Sequence, residues 1–147
     1  MPFGYNDCIN KGLLRKIPPS KQQSERSLEK AGKWLLEVAR SLEGQAYHSA
    51  VLTSYLAMFH SARAILFRDG FREKSHFCIA RYLEEHYAKK RLLENKWIEL
   101  LDHYRELRHN DQYDLSFMAT EEEARNALAS ARDFVERMAL LLKDTNR

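Results

Sequence analysis

The stretch TEEEARNALASARDFVERMALLL, Thr120–Leu142, decides the fold class. Thr120 followed three residues later by Glu123 has the form of a capping box, in which a hydroxyl and a carboxylate each satisfy a backbone N–H of the first turn. Three glutamates in that turn also suit the positive end of a helix dipole. Behind them Ala124, Ala127, Leu128, Ala131, Phe134, Val135, Met138, Leu141 and Leu142 recur at three- and four-residue intervals, which places them on one face of a helix.

The rest of the chain follows the same rule. Its three prolines stand at positions 2, 18 and 19, and it has only five glycines in 147 residues. Eleven β-branched residues against twenty leucines and fifteen alanines favour helix over sheet. This excludes sandwiches, barrels and Rossmann sheets. One domain is expected from the length.

Working back from Thr120, four more helices are predicted. Pro18 and Pro19 bar helix ahead of Ser20, so Ser20 or Ser24 is the N-cap of a first long helix carrying Leu28, Ala31, Leu35, Val38 and Leu42 and closing near Gly44. A second runs from Tyr47 through Val51, Tyr55, Met58, Phe59, Ala62, Ile65 and Leu66 to a stop at Asp69-Gly70. A third, shorter helix opens at Ser75-His76, with Ile79, Tyr82 and Leu83 inward. The fourth follows the basic turn Lys89-Lys90-Arg91 and carries Leu93, Trp97, Leu100, Leu101, Tyr104 and Leu107, ending at the turn-forming segment Asn110–Asp114. The expected fold is all-α: an up-and-down antiparallel bundle of four long helices plus one shorter one, residues 20–147, behind a basic N-terminal leader, 1–19.

Composition narrows the function. No apolar run approaches the roughly 20 residues that span a bilayer, and MPFGYNDC lacks the apolar stretch of a signal peptide, so a cytoplasmic protein without a membrane partner is expected. Cys8 and Cys78 have neither metal-ligand nor redox spacing, which suggests free thiols in a reducing compartment. The histidines show no metal spacing, and glycine-rich phosphate loops and nucleophile elbows are lacking, so neither metal nor cofactor is expected. The net charge of +3 is modest but uneven: eight basic residues against four acidic ones between His60 and Arg91, and five acidic residues with no basic one from Asp111 to Glu123.

Any site must therefore come from polar side chains on helices. The apolar series Trp97, Leu101, Tyr104 continues by helical spacing to Arg108, whose charge needs a carboxylate, a phosphate or an exit to solvent. Asp111 and Tyr113 follow within six positions. His60, beside Phe59, and His76, at the start of the third helix, are further candidates, each also readable as a partly buried imidazole bonded to backbone.

The run from Tyr55 through Phe59-His60 to Ala64, then Gly70, Lys74-Ser75-His76, Leu107-Arg108, Asp111, Tyr113-Asp114 and Ala131–Val135, resembles HEPN-domain proteins over roughly residues 25–143. It is most similar to the small stand-alone prokaryotic members encoded beside a minimal nucleotidyltransferase. The resemblance implies a four- or five-helix bundle that forms a homodimer and acts with that partner in a toxin–antitoxin-like pair. It also implies a cleft binding nucleotide or RNA phosphate through Arg108, Asp111, Tyr113, His76 and His60. Many members are metal-independent ribonucleases whose motif is an arginine followed after four to six residues by a histidine. Here the arginine is Arg108, but no histidine follows at that spacing and Tyr113 stands in its place. Catalysis, if retained, falls to Arg108 and Tyr113, with His109 or His76 as substitutes for the missing imidazole. In some related toxins a tyrosine near the motif receives AMP from the transferase, which makes Tyr113 an acceptor candidate. A bundle serving oligomerisation alone is the remaining alternative.

Overall fold

The computed structural model describes residues 3–113 and 118–144, with the side chains of 110–113 outside the described set. Its long helices are α2 (Lys21–Glu43), α3 (Tyr47–Asp69), α5 (Asn95–Tyr113) and α6 (Glu121–Asp144), and α4 (His76–Leu83) is the predicted shorter one. The all-α expectation holds, with two additions. A six-residue helix, α1 (Tyr5–Asn10), precedes the bundle, and strands β1 (Leu14–Lys16) and β2 (Phe71–Glu73) form a small antiparallel ribbon.

The caps explain where the helices begin and end. Ser20 is the N-cap of α2, its hydroxyl accepting from the Gln23 N–H at 3.1 Å, while Ser24 is buried inside the helix. Thr120 and Glu123 form the reciprocal capping box of α6, with the Glu123 N–H donating to Oγ1 and the Thr120 N–H to Oε1. Gly70 ends α3 with φ at 92°, where a Cβ would lie 2.9 Å from both the Ile17 carbonyl oxygen and Pro19 Cγ. Ser75 occupies the N-cap position of α4 in extended backbone, without a side-chain bond. Leu93 is buried just ahead of α5, not within it.

Helix α3 is the axle, packing against α2, α5 and α6. Fourteen of its residues are buried, so it is apolar on nearly all sides rather than striped. By length and composition it could cross a membrane, with a window of mean hydropathy 1.3, yet 78% of that window lies inside the bundle. The buried hydroxyls along it are satisfied: Ser54 donates to the Ala50 carbonyl, Ser61 to that of Met58, and Ser27 of α2 to that of His60 at 2.7 Å.

Two expectations need correction. Cys8 and Cys78 are joined in a disulfide, not free thiols; seventy residues separate them, so local spacing holds no trace of the pairing. The leader is built into the body: Cys8 and Leu14 are fully or almost fully buried, β1 pairs with β2, and Tyr5 is hydrogen-bonded to His86 Nε2 at 2.9 Å. The fourth helix ends within the expected segment Asn110–Asp114, since α5 runs through Tyr113. Asn, Asp and Gln are tolerated in a last turn that contains neither glycine nor proline.

Candidate functional site

A cleft of about 490 Å³ opens where the start of α4 meets the last turns of α5. Ser75, His76 and Phe77 form one wall, and Arg105, Glu106, Arg108 and His109 the other. Two arginines three residues apart project from the same side of a helix, so α5 delivers two guanidinium groups to one place.

Each wall is braced from behind. Phe77 packs against two cations, with Arg81 Cζ 4.7 Å and Arg105 Cζ 5.0 Å from its ring centre. Both arginines converge on Asp102: Arg81 at 2.5 Å on one carboxylate oxygen and Arg105 at 2.6 Å on the other. A carboxylate shared by two guanidinium groups fixes α4 against α5 and leaves Arg105 a fixed element of the wall. On its outer side Phe77 meets the edge of Phe3 at 5.7 Å, and the next residue, Cys78, is tied to α1. The N-terminal segment thus buttresses the cleft.

His76 is the most constrained of the lining residues. Its ring stacks on Phe59 at 4.1 Å, and Nδ1 lies 3.1 Å from the hydroxyl of Tyr55, a residue only 1% exposed. Burial pushes the Tyr55 phenol well above its ordinary value, so it keeps its proton. That proton has no other acceptor among the described residues, and leaving it unbonded would be costly, so the O–H donates to Nδ1. Burial first, then the charges of Arg108, Arg63 and Arg105, lower the His76 pKa. The imidazole is therefore neutral near pH 7 and presents Nε2 as an N–H donor.

Arg108 stands half-buried over the Tyr55 ring, its Cζ 5.8 Å from the centroid, and opens into the cleft. The exit demanded by its place at the end of an apolar stripe is this cavity. Of the residues singled out in the sequence, Arg108, His76 and His109 come together here. His60 does not: it lies on the far side of Phe59, edge-on to that ring at 4.8 Å, and faces a separate groove. Asp111 and Tyr113 belong to α5, but their side chains lie outside the described residues.

Sequence reasoning missed Arg105, Asp102, Phe77 and the bond from Tyr55 to His76. The three-residue spacing of Arg105 and Arg108 was a usable signal; the others join α3, α4 and α5 across long separations that periodicity does not reach. Among the described residues no cluster of three or more metal-ligating side chains occurs. The cleft is instead suited to an anion chiefly through Arg108, with a neutral imidazole donor and aromatic faces beside it, while Arg105 is held by Asp102 and Glu106.

Fold and cleft together define an all-α bundle whose polar chemistry is concentrated on the facing ends of α4 and α5. The profile of the HEPN domain matches residues 24–141, and the chain belongs to that family. It is also 27% identical over 136 residues to a candidate toxin of Methanocaldococcus jannaschii, in an alignment covering 92% of this chain and 96% of the relative.

Proposed function

We infer that this protein is a toxin-like HEPN protein that binds the phosphate groups of RNA or a nucleotide in the cleft between α4 and α5. The observation that carries this reading is the meeting of Arg105, Arg108 and the neutral, tautomer-fixed His76 in one cavity. Arg108 holds a phosphate through two parallel N–H donors, and His76 Nε2–H supplies a third from the opposite wall. The likeness to a candidate toxin supports the biological setting. Two copies placing their clefts together, a minimal nucleotidyltransferase as partner, and Tyr113 as the residue that accepts AMP complete the proposal, with Asp111 beside it.

A second reading, metal-independent ribonuclease activity, is favoured by His109, which shares the cleft with Arg108. Strand cleavage needs a base for the 2′-hydroxyl. His76 does not offer one while Tyr55 occupies Nδ1, because its Nε2 carries the proton. His109 is the remaining imidazole of the cleft.

One experiment separates these readings. Fluorescent single-stranded RNA is mixed with the protein in EDTA, and binding and cleavage are followed for the wild type, Arg108→Ala and His109→Ala. Binding lost in Arg108→Ala, without cleavage in any sample, supports the first reading. Cleavage abolished in His109→Ala supports the second. Binding unchanged in Arg108→Ala removes the proposed site. Co-expression with a neighbouring nucleotidyltransferase, followed by intact-mass measurement, tests AMP addition at Tyr113 against a Tyr113→Phe control.

A further inference from the structure

Beyond Phe59 lies a second cavity of about 300 Å³, formed by α2, α3 and β2. Its cationic lining is Arg26 and Lys30 of α2, Arg63 of α3 and Arg72 of β2, with His60 at its wall, and no acidic residue lines it. Arg26 and Lys30 are four residues apart and so share a helix face. Arg63 is partly neutralised from beneath by the buried Glu73, at 2.7 Å. Arg26, Lys30 and Arg72 are exposed and make no ion pair with a described residue.

The ribbon adds to the imbalance. In its register Arg15 stands directly opposite Arg72, both exposed. Like charges directly opposed across two strands destabilise the pair. An anionic ligand would offset this repulsion.

The buried Phe59 ring touches a lining residue of each cavity. Arg63, of the groove, has its Cζ 5.6 Å from the Phe59 ring centre, and His76, of the cleft, stacks on the same ring at 4.1 Å. We propose that the groove continues the cleft as a phosphate track, so that one RNA strand runs from one to the other with successive phosphates held first by Arg108 and then by Arg63, Lys30, Arg26 and Arg72. This rests on the phosphate-binding reading of the cleft. Cations spread over three elements fit a row of phosphates better than one small anion, and a concave groove of this size admits a single strand rather than a duplex. Binding along it is electrostatic, independent of sequence and steeply salt-dependent.

The test uses fluorescence anisotropy with two RNAs, a trinucleotide and a 15-mer, at several salt concentrations. The proteins are the wild type, the triple variant Arg26→Gln/Lys30→Gln/Arg72→Gln, and Arg108→Gln. All three groove substitutions are at exposed positions, and a thermal melt checks that the fold persists. The triple variant is expected to bind the trinucleotide as the wild type does but the 15-mer at least tenfold more weakly. Its log–log salt slope should be shallower by about 2, since each single-strand phosphate contact contributes roughly 0.7. If Arg108→Gln weakens both RNAs and the triple variant neither, the cleft reading stands and the track is overturned. No binding of either RNA to the wild type overturns both. Unchanged RNA affinity with lost affinity for poly-glutamate assigns the groove to an acidic protein and also overturns the track.

Discussion

The Tyr55 hydroxyl donates to His76 Nδ1 across 3.1 Å, joining the core of α3 to the first residue of α4. A buried phenol that cannot ionise thereby sets which nitrogen of a cleft imidazole carries the proton. Tyr55→Phe is expected to remove that control at little cost in volume. Nitrogen-15 NMR of the His76 ring should change from a single Nε2–H tautomer to a mixture, with a stability loss of about 1 kcal/mol. An unaltered tautomer would show that the stacking on Phe59, not the hydroxyl, sets the ring's state.

Acid sensitivity should follow from His60. Burial, then the charges of Lys30 and Arg63, lower its pKa from 6.5 to about 4. Between those values the unfolded chain binds a proton that the folded chain refuses, so stability falls as the pH drops from 6.5 to 4 and levels off from this source below that. The loss is on the order of 2–3 kcal/mol. Melting curves at pH 7 and pH 4.5 should differ less in His60→Leu than in the wild type. Equal pH dependence in the two proteins would assign the acid response to other groups.

The ion pair of Arg63 with Glu73 is the most buried pair among the described residues, the carboxylate side chain being 6% exposed. Glu73→Ala leaves a guanidinium without its partner over Phe59 and Phe67, and is expected to cost about 3–5 kcal/mol. Removing both charges in Arg63→Leu/Glu73→Leu should cost clearly less than Glu73→Ala alone. Urea unfolding of the two variants gives the comparison directly.

The disulfide closes a loop of 70 residues around α2 and α3. Loop-closure entropy on that scale amounts to about 4 kcal/mol. Cys8→Ser/Cys78→Ser, or reduction by a thiol reagent, should lower the melting temperature markedly, and intact mass should rise by two hydrogens on reduction. A melt insensitive to reductant would mean that the ribbon and the Tyr5–His86 bond hold the N-terminal segment by themselves.

The bundle was largely legible in the sequence because its signals are local. Pro19-Ser20, Asp69-Gly70 and the Thr120–Glu123 box each fix a boundary within a few residues, and periodicity assigns the inward faces. The ribbon was not legible, since Leu14–Lys16 and Phe71–Glu73 are three residues each and pair across more than fifty positions. The disulfide escaped for the same reason. Arg108 was found because a charge at the end of an apolar stripe is locally anomalous. The partners that make it a site, His76 with Tyr55 behind it and Arg105 held on Asp102, come from contacts among three helices. The distinction between His60 and His76 could not be read at all, because one phenylalanine ring separates the cavities they face.

Gly70 has a practical consequence for the limits of the folding unit. Its missing side chain makes room for Ile17 and Pro19, and its carbonyl accepts from the Ile17 N–H at 2.9 Å, so the segment before α2 is laid across the end of α3. The family match begins only at residue 24. A chain trimmed to that boundary would keep every recognisable family feature while losing a strand, half of a covalent link, the cap of α2 and the strap over Gly70. The family profile therefore leaves out contacts that hold the N-terminal end of the bundle, and expression trials should retain the first twenty residues.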